Sequence, residues 1–343
     1  MRKLLQTLYV TTPDIYLSLD GENVVAMQER RELKRLPLHN LEAISLFGYA
    51  GASPALMGAC AKRGIALSFF SMNGRYLARS VGEMSGNVLL RREQYRIADD
   101  AEKALGYARN FILGKIYNAR WVLERTVRDH ALRVDADALK HASDFLQDSL
   151  ASVRTCSSAE RLLGLEGEAA SVYFGAFDQM ILQQRETFAF SCRSRRPPLD
   201  PVNAVLSFAY ALLANDAASA LEGVGLDSYV GFMHRDRSGR RSLALDLMEE
   251  LRAVCADRFV LSLINRRQIK PDGFVRKESG AVLMDEETRR TILQQWQRRK
   301  EETIMHPYLG EKTAWGVVPH IQAQLLARCI RGDMEEYPPF LWK

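Results

Sequence analysis

Residues 89–130 read LLRREQYRIADDAEKALGYARNFILGKIYNARWVLERTVRDH. Apolar side chains recur here at helical spacing, with few breakers. The stretches before it read differently. LLQTLYV, IYLSLDGENVVAM, RLPLHNLEAISLFG and IALSFFSMNGRYLARS are short and rich in Val, Ile, Tyr, Phe and Leu. Asp20-Gly21 and Asn73-Gly74 punctuate them as hairpin signals. One short helix is expected over 54–63, capped by Ser53, opened by Pro54 and ended by Gly64. Downstream of residue 89, helical patterns continue to Gly332, interrupted at 197–201, 223–239 and 271–280. The composition switches between Gly82 and Gly86. The expected fold is therefore α+β and multidomain. A small N-terminal antiparallel β domain (1–86) precedes a larger all-α C-terminal domain (87–343).

The 343 residues are 47% hydrophobic and 26% charged, which fits a globular protein with ample core. The opening MRKLLQTLYVTTPDIYLSLD breaks at Pro13 and Asp14, so no signal peptide is expected. The longest strongly apolar run, 204–214, is short for a bilayer. Cys60, Cys156, Cys192, Cys255 and Cys329 are scattered and form no C-x-x-C. That points to reduced thiols in the cytoplasm, with no zinc site, no disulfide scaffold and no membrane. The net charge of +5 permits a polyanionic partner without demanding one. Basic groups cluster at Arg193/Arg195/Arg196, at Arg235, Arg237, Arg240 and Arg241, at Arg266/Arg267/Lys270, and at Arg298/Arg299/Lys300. Arginine predominates, and its planar fork suits phosphate oxygens. Solvated helix faces are the plainer reading of any one cluster.

One acid stands out. In SSAERLLGLEGEAASVYFGAFDQMIL, Ser157 and Glu160 have capping-box spacing. Leu162, Leu163, Ala169, Ala170, Tyr173, Phe177, Met180 and Ile181 then fall on one stripe about 120° wide. Glu166 sits at its centre, whereas Glu168 faces the opposite side. A carboxylate on a core-facing stripe needs a cation, a hydrogen-bond network or a metal. A salt bridge to a neighbouring Arg is the structural alternative. Gly164 and Gly167 each cost roughly 1 kcal/mol of helix propensity relative to Ala, and they remove bulk beside Glu166.

GFMHRDRSGRRSLALDLMEE (231–250) adds a histidine, the arginines and three acids. DRSG is a turn signal. LDLMEELRAVCADRFVLSLI reads as a helix with Asp246 as N-cap and a stripe of Leu247, Leu251, Val254 and Phe259. Glu249 then lies off that stripe in the first turn, and Glu250 reads as solvated. Periodicity does not choose a ligand among Asp246, Glu249 and Glu250. Glu166, His234 and one downstream acid suit Mg2+ or Mn2+, which activates an oxygen nucleophile and neutralises a phosphodiester. Walker, G-x-S-x-G and H-E-x-x-H motifs are absent from the sequence.

LLGLEGEAASVYF, DPVNAVLSFAYALL, GLDSYVGFMH and LALDLMEELRA occur in that order. Together they resemble the signature blocks of the CRISPR-associated spacer-acquisition endonuclease, the integrase of CRISPR adaptation (the Cas-one family). HPYLGEKTAWGVVPHIQAQLLARCIRG and the length resemble the subtype I-C branch. The resemblance implies an N-terminal β domain for dimerisation and partner contacts, and a helical catalytic domain. It implies catalytic metal ligands at Glu166, His234 and Glu249. The family often has Asp at the last position. Asp246 becomes an orienting acid, and Asn203 and Tyr210 line the site. Arg235, Arg237, Arg240 and Arg241 are expected to bind DNA. The implied reaction is transesterification, a 3′-hydroxyl attacking a phosphodiester, or nuclease activity with water. Implied partners are double-stranded and branched DNA, a second copy in a homodimer, the small Cas-two protein in a heterohexamer, and the Cas-four nuclease. A catalytically silent DNA-binding scaffold of the same fold is the alternative.

Overall fold

The computed structural model describes residues 7–72, 76–80, 82 and 88–343. The Asn73-Gly74 signal and the expected 86/87 boundary lie outside these residues. The chain begins with β1 (Thr7–Val10), β2 (Tyr16–Asp20), β3 (Asn23–Gln28), β4 (Arg31–Pro37), β5 (Ala43–Phe47), α1 (Pro54–Arg63), β6 (Ala66–Phe70) and β7 (Tyr76–Ser80). β2, β3 and β4 form an antiparallel sheet, with Gly21 at φ 56° in the first hairpin. The other sheet, ordered β1-β5-β6-β7, is mixed. Its β1/β5 and β5/β6 pairs are parallel, and only β6/β7 is antiparallel. The expectation of an antiparallel domain is corrected here. α1 is a crossover between β5 and β6, and a helical crossover returns the chain parallel to its starting strand.

Local chemistry places α1 where the sequence predicts it. Ser53 Oγ accepts from Leu56 N at 3.2 Å, Pro54 opens the helix, and Gly64 ends it at φ 66°. Leu17, Leu38, Ile44, Leu56 and Leu67 make the fully buried centre of this part.

Next come α2 (Val88–Asp99), α3 (Ala101–His130), α4 (Ala136–Arg154), α5 (Ala159–Gly175), α6 (Pro201–Gly223), α7 (Ser242–Leu251) and α8 (Arg258–Asn265). The stretch 89–130 is thus two helices. Asp100 separates them and caps α3 by accepting from the Glu102 and Lys103 amides at 3.1 Å each. The remainder holds β8 (Phe274–Arg276), β9 (Val282–Met284), α9 (Glu286–Glu301), β10 (Thr303–Met305), β11 (Lys312–Ala314) and α10 (Val318–Ile330). The β8-β9 and β10-β11 pairs correct the all-α expectation: the C-terminal region is mostly helical with two short ribbons. Gly280 and Gly310, at φ 79° and 66°, lie in the segments that join the paired strands.

The chain divides into two compact units. One comprises Met1–Ser85, Met284–Glu302 and Ala314–Val317, and the other Gly86–Leu283, Thr303–Thr313 and Val318–Lys343. α9, far downstream in sequence, therefore belongs with the N-terminal strands. Ile292, Leu293 and Trp296 are its buried apolar residues, and Lys300 Nζ donates to Thr7 Oγ1 at 3.3 Å. α6 is long and apolar enough to span a membrane, more than the run 204–214 alone implies. In this structure it is a core helix, with Val205, Leu206, Ala209, Ala217, Ala218 and Leu221 completely buried.

α7 sets the geometry of the site. It packs against α3, α6 and α10, and every residue of it except Leu245 is buried. Such a helix has no solvent face, so polar residues on any side of it need partners. It continues through a π-helical segment (Arg252–Asp257) into α8.

Candidate active site

α5 begins one residue later than the capping-box reading expects: Ser158, not Ser157, accepts from Arg161 N at 3.4 Å. Its buried face carries Leu162, Ala169 and Tyr173, and Glu166 lies half-buried beside them. Leu163, placed on the same stripe by periodicity, is 46% exposed. The partner of Glu166 is the Lys115 ammonium from α3, not an arginine. The same Nζ lies 2.8 Å from Glu249 Oε2, and Arg252 donates to Glu249 Oε1 at 2.6 Å. Burial alone pushes the Glu249 carboxyl up. Arg252, Lys115 and, more weakly, His234 outweigh it and hold that group down at about 2. Glu249 is thus an ionised carboxylate almost wholly removed from water. It stands in the last turns of α7, not the first, because the helix starts at Ser242.

Asp246 is not a cap. It sits inside α7, completely buried, and organises the segment that delivers the histidine. Its Oδ2 accepts from the Phe232 and Met233 amides at 2.7 and 3.0 Å. Its Oδ1 accepts from His234 N at 3.0 Å and lies 2.6 Å from His234 Nδ1. A carboxylate on Nδ1 keeps the proton there and leaves the Nε2 lone pair for a ligand. Gly231 is required for this approach, since a Cβ there would lie 2.7 Å from Asp246 Oδ2 and 2.9 Å from Ser242. The DRSG turn forms as its residues predict, with Gly239 at φ 74° and Arg240 N bonded to Arg237 O at 2.9 Å.

Asn203 and Tyr210 both lie on α6, and neither bonds a predicted metal ligand directly. Asn203 is fully buried and ties the start of α6 to the preceding segment. It accepts from Arg193 and Ser194 N and donates to Cys192 O. The guanidiniums of Arg193 and Arg252 each lie over the Tyr210 ring, 5.2 and 4.7 Å from its centroid. Its hydroxyl donates to Asp257 at 2.5 Å, and Tyr173 donates to the same carboxylate at 3.1 Å. Tyr210 therefore reaches Glu249 through Arg252. The basic turn divides: Arg235 and Arg237 are exposed, whereas Arg240 donates to Arg235 O and Arg241 to Asn215.

Lys115 and Arg252 were not singled out in the sequence. Each lies on a helix where a cation ordinarily means a solvated face. Glu250, read as solvated, is completely buried and accepts from Tyr337 Oη, Gln322 Nε2 and Phe340 N.

Among the described residues, no group of three or more His, Cys, Asp or Glu side chains is assembled closely enough to hold a metal. Lys115 joins the two glutamates instead. The donor set still fits a hard divalent ion: two carboxylates and one imidazole nitrogen. Glu249 Oε2 is buried, with the Lys115 ammonium 2.8 Å away as its counter-charge.

Comparison with known proteins shows the family. Residues 8–298 match the family described as CRISPR associated protein Cas1. A CRISPR-associated endonuclease Cas1 of Rhodospirillum rubrum is 50% identical, with full coverage of both chains. One from Chlorobaculum tepidum is 48% identical, also over both whole chains. A Cas4/Cas1 exonuclease–endonuclease fusion of Geobacter sulfurreducens is 37% identical over 97% of this chain and 60% of its own length. Among solved structures, a casposase bound to integration product shares the fold with a TM-score of 0.83 at 23% identity, covering 98% of this chain and 94% of that one. A Cas6-RT-Cas1–Cas2 complex matches at 0.82 and 23% identity, covering 99% of this chain and 36% of that one. With half its residues shared over full length and the family matched across most of its sequence, this chain belongs to the CRISPR associated protein Cas1 family.

Proposed function

We propose that this chain is a metal-dependent DNA endonuclease and integrase of CRISPR adaptation. It joins protospacer DNA to the array by attack of a 3′-hydroxyl on a phosphodiester. The observation that carries the reading is the convergence of Glu166 and Glu249, from separate helices, on one cationic position, with His234 held by Asp246, three residues before Glu249 on α7. The endonuclease names of the two full-length relatives support it.

A Mg2+ or Mn2+ ion held by Glu166, Glu249 and His234 would neutralise the attacked phosphodiester and ease deprotonation of the attacking oxygen. The chain's own residues do the rest. Asp246 orients the imidazole, Arg252 braces Glu249, and Tyr210 braces Arg252. Arg235 and Arg237, exposed a few residues from His234, are placed to hold the DNA backbone, with Arg240 and Arg241 shaping the turn.

The Cas1–Cas2 complex and the Cas4/Cas1 fusion among the similar proteins support a small Cas2 partner and an association with a Cas4 nuclease. A homodimer assembled through residues 1–86, a heterohexamer, a cytoplasmic location and the subtype I-C branch complete the reading. The silent-scaffold alternative draws on Lys115, which closes the carboxylates without a metal.

The test is cleavage of branched DNA with Mn2+. Glu166→Ala and His234→Ala are each expected to reduce it at least 100-fold while keeping DNA affinity. Undiminished cleavage by both variants overturns the proposal.

A further inference from the structure

Glu166 and Glu249 share one ammonium. Lys115 is 12% exposed, Glu166 23% and Glu249 4%, so all three charges act through little water. Lys115 and Arg252 offset Glu166 and Glu249, and Asp246 adds a further carboxylate beside His234. A divalent cation between Glu166 and Glu249 would take the position that the Lys115 ammonium holds, putting like charges at close range in a low-dielectric setting. Lys115 and the ion therefore exclude each other. Arg252 is fixed by its bond to Glu249 and by the Tyr210 ring beneath it. Lys115 bridges both carboxylates, whereas Arg252 pairs with Glu249 alone, and a small cavity lined by Ala170, Tyr173 and Phe174 adjoins both cations.

We infer that Lys115 is a built-in counter-cation, which holds the metal-free site closed and is displaced when a divalent ion enters. Resting on the metal-dependent reading above, the inference adds a regulator of metal occupancy on α3. Lys115 sets a threshold: the ion must outcompete an intramolecular ammonium before the two carboxylates are available to it. The same contact offsets the repulsion between buried Glu249 and half-buried Glu166 when no ion is present.

The test is calorimetric titration of Mn2+ into the wild-type chain, Lys115→Gln, Lys115→Met and Glu166→Gln, with thermal melting of each before and after. Both Lys115 variants are expected to bind Mn2+ about tenfold or more tightly than wild type. They should also melt lower without Mn2+ and gain more on its addition. Gln retains amide donors for the carboxylates, so Lys115→Gln decides the matter if the Met variant does not fold. Wild-type binding that depends on Glu166, with equal or weaker binding by the Lys115 variants, overturns the role of Lys115 and leaves the metal site standing. Binding by none of the four, or binding that Glu166→Gln leaves intact, overturns both.

Discussion

Glu249 and Glu250 are chain neighbours, both buried, and their surroundings send them opposite ways. Arg252 and Lys115 hold Glu249 down at about 2 against its burial. Glu250 has hydrogen-bond donors but no cation, so burial wins and pushes it up to about 7. Its folded value therefore lies above its unfolded value of 4.5. The stability it contributes is complete below the unfolded value and is lost as pH rises through 7. Wild-type unfolding free energy should carry a fall of up to about 3 kcal/mol from this group between pH 5 and 8. Glu250→Gln should flatten that part of the profile, measured by urea unfolding across the range. Parallel profiles for the two proteins would show that Glu250 does not titrate there. At this scale the sequence revealed Glu166, because an acid at the centre of an apolar stripe violates its own pattern. Lys115 and Glu250 violate nothing locally, since only tertiary neighbours remove them from water.

At the scale of elements, the site depends on how closely α3 and α7 approach. A Cβ on Gly114 would lie 2.6 Å from Glu250 Cβ and 3.3 Å from Pro339 Cβ. Gly114→Ala is expected to cost roughly 1–3 kcal/mol and to lower activity, because Glu249 moves with Glu250. Thermal melting and the branched-DNA assay check both effects, and an unchanged melting temperature would refute the tight contact. The C-terminal segment closes the same region. Asn118 Nδ2 donates to Glu250 O and Phe340 O at 2.6 Å each, while Trp342 N donates back to Asn118 Oδ1 at 2.9 Å. Helix ends with local capping chemistry, as at Ser53 and Gly64, were legible. The start of α7 was not, because Arg241 precedes it without a side-chain cap. Strand direction was equally hidden: an apolar run such as that of β5 reads the same whether its neighbours run parallel or antiparallel.

For the whole molecule, the change of period after residue 89 exposed the passage from strands to helices. It did not expose the return of α9 to the first unit, which depends on a contact distant in sequence. The four ordered blocks carried the family, and relatives matched over their whole length bear it out. Glu166, His234 and Glu249 are proposed to form one metal-dependent strand-transfer site. Its most direct measurement is the joining of a labelled 3′-hydroxyl DNA end to a duplex carrying a repeat, with Mn2+ and no nucleotide. Joined product is expected from wild type and none from Glu249→Gln at equal DNA occupancy. Joined product at the wild-type rate from Glu249→Gln would contradict it.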